Sequence, residues 1–194
     1  MKVDLHVHTT KGSPCSKLTP KELVLRAREL GLDGVCITEH GNFNGKKIRS
    51  SDQDLIILYG VEIRSNQGDF LVYGLEDSIP FGDAQTVIDE CKGMGCAIFV
   101  AHPYRFSVPS LGDLIYELKD YDGIEVLNGN ATKDQNFSAK KAQKDLKCKG
   151  IGGSDAHDKK KIAKYVTVFE NEIKNEDDLV TELIKGKYYP KPFF

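Results

Sequence analysis

The chain has 194 residues, and its 27 basic and 29 acidic side chains give a formal net charge of −2 at pH 7. This length suits one domain with a full hydrophobic core, and the charge argues against non-specific nucleic-acid binding through a broad basic face. The chain lacks both the roughly 18 consecutive apolar residues of a membrane span and the apolar core of a signal peptide. We therefore expect one domain over residues 1–194 with no membrane partner.

Short β-rich runs alternate with amphipathic helical segments along the chain. Several of the strand-like runs are nearly continuous apolar stretches, which is typical of strands buried on both faces of a parallel sheet. In chain order these runs are 2–7, 34–38, 55–63, 69–75, 96–102, 123–128, 150–154 and 165–169.

The helical segments carry end signals that are readable in the sequence. Thr19-Pro20-Lys21-Glu22 combines an N-cap, a proline at the first helical position and an acidic third residue, and Gly31 supplies a stop. Further helices are predicted over 83–94, 110–119, 137–146 and 175–185. The alternation predicts an α/β domain built as an open sheet or a barrel. Since a complete eight-unit barrel needs about 250 residues, a shortened or distorted barrel is favoured.

The five cysteines form no C-x-x-C pair. Their odd number and their spacing argue against a disulfide framework or a zinc ribbon. We therefore expect a reduced, cytoplasmic protein.

Imidazoles and carboxylates fall where the predicted strands end. Because the carboxyl ends of parallel strands share one rim, residues far apart in sequence should converge there. His6 and His8 are two apart on a strand and therefore point to the same side. Glu125 and Asn128 end the sixth run without an assigned role. The candidate metal ligands are His6, His8, His40, Glu62, His102, Asp155 and His157.

These residue types are the ligands of zinc, manganese and iron. One tetrahedral zinc takes four ligands, so seven candidates predict two or three divalent ions that share a carboxylate. Clustered ions suit the hydrolysis of phosphate esters because they bind phosphoryl oxygens and generate a hydroxide nucleophile.

The motifs DLHVHT, ITEHG, GVEI, AHP and GGSDAH occur in this order. Their combination resembles the PHP (polymerase and histidinol phosphatase) domain family, over nearly the whole chain from Asp4 onward. The resemblance implies a distorted (β/α)7 TIM-like barrel with a trinuclear metal centre and phosphoesterase activity. It places His6, His8, Glu62 and Asp155 on a first ion, Glu62 and His102 on a second, and His40 and His157 on a third.

Two positions depart from the family pattern. Asp69 stands where a histidine ligand is usual, and it is expected either to bind the same ion or only to turn the chain. Ser13 stands near the position of another usual ligand and binds metals poorly. Cys15, close by, is either a thiolate ligand or a small loop cysteine. Glu39 replaces a commoner aspartate and is expected to act in catalysis by orienting a ligand or a water.

A phosphate also needs cationic donors. Arg105, three residues after His102, is the first choice because a guanidinium can bind phosphate through two hydrogen bonds; Arg64 is the second. Either arginine could instead be a solvated surface charge. The loop 41–47 could fold over the site, and Lys159-Lys160-Lys161 is expected to be surface charge.

The sequence therefore predicts hydrolysis of a phosphomonoester or phosphodiester by a hydroxide that bridges the ions, with Arg105 stabilising charge and His157 or a metal assisting the leaving group. The expected substrate is a small phosphorylated molecule or a nucleotide, with nucleic acid only as a substrate. Two alternatives stay open. One is a metallohydrolase of the amidohydrolase type, although no lysine ends a predicted strand. The other is a non-catalytic module in which metals staple the fold and the surface binds a partner.

Overall fold

The computed structural model describes residues 1–41 and 55–194, and in these residues the backbone forms nine strands and four α-helices. Only Gly41 of the loop 41–47, which was expected to fold over the site, lies among the described residues. The strands are β1 (Lys2–Val7), β2 (Gly34–His40), β3 (Ile56–Arg64), β4 (Asp69–Tyr73), β5 (Ala97–Val100), β6 (Gly123–Asn128), β7 (Lys149–Gly153), β8 (Tyr165–Phe169) and β9 (Tyr188–Pro192). The helices are α1 (Pro20–Leu30), α2 (Ala84–Gly93), α3 (Lys133–Leu146) and α4 (Glu176–Lys185).

The ends of α1 confirm the cap signals. The Thr19 hydroxyl accepts a hydrogen bond from the Glu22 amide, and the Glu22 carboxylate accepts one from the Thr19 amide. Gly31 ends the helix in the left-handed region, at φ 72°, where a glycine has no steric penalty. The helix returns the chain from the end of β1 to the start of β2.

The strands are hydrogen-bonded in the order β7-β6-β5-β4-β3-β2-β1-β8-β9. β7 then returns to β1, because the Asp155 amide donates to the His6 carbonyl over 2.7 Å and the His8 amide donates to the Ala156 carbonyl over 3.0 Å. The sheet is therefore a nearly closed barrel, and the expectation of a distorted α/β barrel is confirmed.

Two of the predicted strands contradict the expectation of a wholly parallel sheet. Strand β8 runs antiparallel to β1, and strand β4 runs antiparallel to both β3 and β5. The connection 65–68 has only four residues, and the Ser65 amide donates to the Gly68 carbonyl over 2.8 Å. A parallel crossover needs a dozen or more residues, and a connection of four residues therefore forces a hairpin. The reversal places the first residue of β4, Asp69, at the rim where the neighbouring strands end.

Three further elements differ from expectation. Helix α3 begins at Lys133, four residues before the predicted start at 137, because Thr132 caps it. Segment 110–119 forms only a 3₁₀ helix over Gly112–Tyr116, which starts at a glycine with φ 54°. Strand β9 was not predicted because it contains Pro190 and Pro192. It pairs only with β8, at the edge of the sheet, where proline is tolerated.

Apolar side chains from the strands and helices pack into buried clusters; Leu5, Leu71 and Phe99, for example, are fully buried together. None of the helices in residues 1–41 and 55–194 combines the length and the apolar character required to cross a membrane.

Candidate metal centre

The ladders carry a register shift at two of the strands that supply the centre. In β1 the shift lies between Asp4 and Val7, and in β6 it lies between Glu125 and Leu127. Such bulges redirect side chains and are common beside functional sites. Here they accompany a contact between the two strands, because His6 Nδ1 lies 2.9 Å from Glu125 Oε1.

All five histidines of the chain lie together at this rim. The ring centroids of His8 and His40 are 4.2 Å apart, and those of His8 and His157 are 4.4 Å apart. His6 lies 5.0 Å from His8 and 5.9 Å from His102. Residues spread over more than 150 positions of sequence thus share one site.

Glu62, at the end of β3, lies among these rings and is only 3% exposed. Its Oε1 is 2.8 Å from His102 Nε2. Its Oε2 is 2.7 Å from His40 Nδ1 and 3.2 Å from His8 Nε2. A carboxylate whose two oxygens face different histidines is suited to bridging two cations.

Asp155 completes the set from the segment after β7. Its Oδ1 lies 3.6 Å from His6 Nε2 and 3.4 Å from His8 Nε2. Three overlapping groups of donor atoms are close enough to hold an ion each. These groups are His6, Glu62 and His102; His6, His8 and Asp155; and His8, His40 and His157.

The hydrogen bonding of the donor atoms, and not only their residue types, fits divalent metal ions. Among the described residues, two buried side-chain atoms at this site, Glu62 Oε2 and His102 Nδ1, make no hydrogen bond. The contact of Glu62 Oε2 with His40 Nδ1 at 2.7 Å is an ion-pair distance without the alignment of a hydrogen bond. Nε2 of His6 and Nε2 of His8 also face each other at 3.0 Å. Buried polar atoms without partners are costly unless a ligand supplies the missing interaction. Ions at the centre would supply it for Glu62 and for the facing imidazoles.

The charges at the centre stabilise one another. Burial by itself lowers the pKa of His6, but the carboxylates of Glu125, Asp155 and Glu62 together raise that pKa well above its ordinary value. Burial likewise raises the pKa of Glu62, yet His6 and the hydrogen-bonding histidines hold it well below its usual range. The pKa of Asp155 is also lowered against its burial, chiefly by His6 and His8. Both carboxylates are therefore ionised at neutral pH, as cation binding requires.

Two candidate ligands have unusual backbone conformations. His102 has φ 27° and Asp155 has φ 50°, in the left-handed region that non-glycine residues seldom occupy. Strain of this kind is concentrated at functional sites, where the surrounding structure enforces it. For His102 the enforcing contact includes its amide, which donates to Glu125 Oε2 over 2.9 Å.

The sequence predicted that Glu125 lies at a strand end but assigned it no function. It is fully buried, and it accepts hydrogen bonds from the His6 ring, the His102 amide and Asn128 Nδ2. By holding His6 Nδ1, it leaves His6 Nε2 directed at the other ligands. Carboxylates in this position fix the orientation of metal-binding histidines.

Glu39 lies one step away from the ligands. Its carboxylate accepts hydrogen bonds from the Thr9 amide and hydroxyl and from the Ser13 hydroxyl. Ser13 Oγ in turn lies 3.1 Å from His8 Nδ1. Ser13, the poor ligand of the sequence analysis, thus supports the orientation of His8, and Glu39 supports Ser13.

The two arginines each bind a candidate ligand. Arg64 donates two hydrogen bonds to Asp69: Nε to Oδ1 over 2.9 Å, and the terminal nitrogen Nη2 to Oδ2 over 3.1 Å. Asp69 therefore lies at the rim but is not part of the three donor groups found in the described residues. Arg105 donates to Asp155 Oδ2 over 2.6 Å.

The nearly closed α/β barrel thus carries at one rim a cluster of histidines and carboxylates that could hold metal ions. Residues 4–129 match the PHP domain, and residues 133–188 match the PHP-associated family. The chain belongs to the PHP domain family. The assignment of residues 1–194 to a single metallophosphoesterase domain stays a prediction.

Individual relatives agree with this family. The uncharacterized protein MJ1587 of Methanocaldococcus jannaschii is 31% identical over 142 residues, which are 66% of this chain and 82% of that protein. A two-domain protein of Bacteroides vulgatus containing a predicted PHP-like metal-dependent phosphoesterase has a TM-score of 0.71 at 22% identity, covering 98% of this chain and 64% of that one. The lesion-specific endonuclease PfuEndoQ of Pyrococcus furiosus has a TM-score of 0.67 at 15% identity, covering 97% of this chain and 57% of that one. The chain thus spans less than two thirds of either of these two proteins.

Proposed function

We propose that this protein is a metal-dependent phosphoesterase. The observation that carries the proposal is the position of Glu62, whose two carboxylate oxygens face different histidines within a buried set of overlapping donor groups. Such a set would hold two or three divalent ions of zinc, manganese or iron. When bound, these ions supply Lewis acidity toward phosphoryl oxygens and lower the pKa of coordinated water.

The ligand assignments proposed from the sequence are supported to different degrees. Seven residues have a donor atom in at least one of the compact groups: His6, His8, His40, Glu62, His102, Asp155 and His157. Asp69 is weaker as a proposed ligand, because both of its oxygens contact Arg64. In our proposal Asp69 and Arg64 act as a pair at the edge of the centre.

Arg105 is the proposed phosphate donor. Its guanidinium is anchored on Asp155 and also donates to Ser107 Oγ, through Nε, over 3.1 Å. With one face held in this way, the guanidinium is presented beside the ligand cluster in a defined orientation. An oriented donor can stabilise the charge that develops on the phosphoryl oxygens without reorganising. Arg64, whose side chain is 54% exposed, lines the same cleft as His40 and Asp69 and is the proposed second donor.

His157 is the proposed proton donor to the leaving oxygen when it is not engaged as a ligand. Its Nδ1 lies 3.0 Å from the Asp155 carbonyl, so this nitrogen carries the proton and Nε2 is the exchangeable position. Burial and the neighbouring His8 lower its pKa, so less of the imidazolium is present at neutral pH, and the imidazolium that forms is the stronger acid. Glu39 then acts through Ser13 on His8, as a positioning residue rather than as a group that touches substrate.

The test is a turnover assay on purified protein loaded with zinc, manganese or iron, using a panel of phosphomonoesters and phosphodiesters. The double variant His6→Ala, Asp155→Ala removes ligands from two donor groups and should abolish turnover. A matched control is Asp89→Ala, which changes an exposed carboxylate on α2 that accepts a hydrogen bond from Gln85. Equal turnover by the wild-type protein and the double variant would sink the proposal, and turnover confined to amide or lactone substrates would favour the amidohydrolase alternative.

A further inference from the structure

Asn128 is a fully buried side chain beside the centre that has no part in the proposed reaction. It ends β6, and its Nδ2 lies between two carboxylates. This nitrogen donates to Glu125 Oε2 over 3.0 Å and to Asp155 Oδ2 over 3.3 Å. One amide group thus contacts both the carboxylate that orients His6 and a carboxylate that is itself a candidate metal ligand.

The orientation of this amide is fixed by its own hydrogen bonds. Asn128 Oδ1 accepts from the Asn130 amide over 2.9 Å and from the Ala131 amide over 3.0 Å. Backbone N–H groups can only donate, and ionised carboxylates can only accept. Oδ1 must therefore face the turn, and Nδ2 must face the carboxylates. The opposite orientation would place an oxygen against two carboxylates.

The backbone of Asn128 is held as firmly as its side chain. The Asn128 amide donates to Asn136 Oδ1 over 2.9 Å, and Asn136 Nδ2 donates to the Asn128 carbonyl over 3.1 Å. Asn136 lies on α3 and is buried, so this reciprocal pair joins the helix to the end of the strand. A side chain that is fixed on rigid elements can hold the groups around it in one geometry.

The turn that follows Asn128 also holds the backbone of Asp155. Asn130 Nδ2 donates to the Asp155 carbonyl over 2.7 Å. A side chain at Gly129 would overlap the Ser154 carbonyl, so the glycine allows the turn to lie directly against this segment. The turn therefore helps to impose the left-handed conformation of Asp155.

Through these contacts Asn128 reaches three candidate ligands. It contacts Asp155 directly. It reaches His6 and His102 through Glu125. Oε1 of this glutamate lies 2.9 Å from His6 Nδ1, and its Oε2 accepts from the His102 amide over 2.9 Å. These three ligands belong to two of the three donor groups found in residues 1–41 and 55–194.

We propose that Asn128 is a positioning residue of the metal centre. Its amide sets the spacing between the Glu125 and Asp155 carboxylates, and Glu125 in turn directs His6. Without a donor between them, the two like charges would repel each other and the ligands would lose their orientation. This inference rests on the metal binding in the proposed function and adds a residue that tunes it.

The test compares the wild-type full chain with Asn128→Ser. A serine hydroxyl can still accept from the amides of the turn, but it lacks the NH2 group that reaches both carboxylates. We expect about ten-fold weaker zinc binding, measured by competition with a chromogenic chelator. We also expect a changed visible spectrum of the cobalt(II)-loaded protein, because that spectrum reports the geometry of the ligands around the ion.

Asn171→Ser is the matched control. Asn171 Nδ2 donates to both oxygens of the buried Glu182, over 3.1 Å each, at the opposite end of the barrel. Both variants thus remove an amide donor from a buried carboxylate, and both should lower the Tm of the metal-free protein. Only Asn128→Ser should change the zinc affinity and the cobalt spectrum.

An Asn128→Ser protein with the zinc affinity and cobalt spectrum of the wild type overturns the inference, because Asn128 would then only support the fold. If this variant does not fold, Asn128→Asp replaces it, since aspartate keeps the size of the side chain and the acceptor for the turn. The cobalt spectrum should change there too, because an oxygen then faces the two carboxylates, and an unchanged spectrum overturns the inference.

The wild-type measurements separate this inference from the proposed function. A wild-type protein that binds neither zinc nor cobalt overturns the metal centre, and the role of Asn128 with it. Metal binding that depends on Asn128 without turnover of any phosphoester overturns the proposed reaction and supports the positioning role.

Discussion

Glu62, at the histidine end of the barrel, differs from the buried and half-buried carboxylates that stand at the opposite end. At that opposite end, Asp122 and Glu182 each have their own donors. Asp122 accepts hydrogen bonds from the Ile98 amide and the Lys92 ammonium, and Glu182 accepts two from Asn171 Nδ2. At the histidine end, Glu62 is surrounded by the imidazoles of four histidines. Its Oε2 contacts His40 Nδ1 at 2.7 Å but makes no hydrogen bond of acceptable geometry.

This contrast separates structural carboxylates from those held ready for a ligand. A carboxylate with complete hydrogen bonds stabilises the fold and has no capacity left for a cation. A buried carboxylate with incomplete hydrogen bonds is costly, and it persists where a bound group compensates. The histidine end therefore depends on an ion for its full stability, whereas the opposite end does not.

The largest effect that tests this difference is expected when one buried glutamate at each end is neutralised. Glu62→Gln keeps the size of the side chain but removes the charge between the proposed ions. Because metal ions contribute several kcal/mol to such reactions, we expect phosphoester turnover to fall about 1,000-fold, with reduced metal content by elemental analysis. Glu182→Gln, which is also buried, should leave turnover and metal content unchanged. Similar losses in both variants would show that the contrast between the ends is not functional.

Removing the ions should destabilise the wild-type protein. Ions that bind the native state at a hundred-fold excess over their Kd stabilise it by about 2.7 kcal/mol. For a chain of this size that corresponds to a decrease in Tm of roughly 5–10 °C on treatment with a chelator, measured by differential scanning calorimetry. The His6→Ala, Asp155→Ala variant supplies the control, because only the group of His8, His40 and His157 stays intact in it and its Tm should respond less to the chelator. A wild-type Tm that is insensitive to metal loading would contradict the assignment of the centre.

A smaller effect is expected from the carboxylate that orients His6. Glu125→Gln places an amide nitrogen where one oxygen now accepts from the His102 amide or the His6 ring. Partners of this kind change metal affinity or activity about 10–100-fold, so we expect an effect in that range, measured by metal titration. The matched change at the other end, Asp122→Asn, should lower the free energy of unfolding by about 1 kcal/mol and leave metal affinity intact. Unaltered affinity in Glu125→Gln would mean that Glu125 only supports the fold.

The sequence predicted much of this fold because local signals agreed with the tertiary structure. The apolar runs of β1 and β6 and the caps of α1 needed no tertiary information. The reversal of β4 was not predicted, although the connection 65–68 is too short for a parallel crossover. Strand β9 was not predicted either, because its prolines oppose strand formation except at an edge, and the sequence does not indicate which strand is the edge.

The residues of the centre could be predicted from the sequence, but the hydrogen bonds and ion pairs among them could not. Histidines at strand ends converge in any barrel, so their identity could be read from position alone. The pairing of Arg64 with Asp69 depends on the register between β3 and β4, where the two residues stand directly opposite each other. The contact of Glu125 with His6 depends on a bulge in each strand. Register and bulges are set by packing across the whole barrel, which a single sequence does not specify.

The smallest expected effect distinguishes the two readings of Cys15. This thiol is exposed and lies along the cleft with His40, Glu62 and Asp69, but it belongs to none of the donor groups in the described residues. Burial and the nearby carboxylates raise its pKa, which disfavours the thiolate that a metal ion binds. We therefore expect Cys15→Ser to retain metal content by elemental analysis and to keep turnover within about two-fold, since no ligand is lost. Loss of one ion in Cys15→Ser would instead make Cys15 a ligand and extend the centre beyond its histidines and carboxylates.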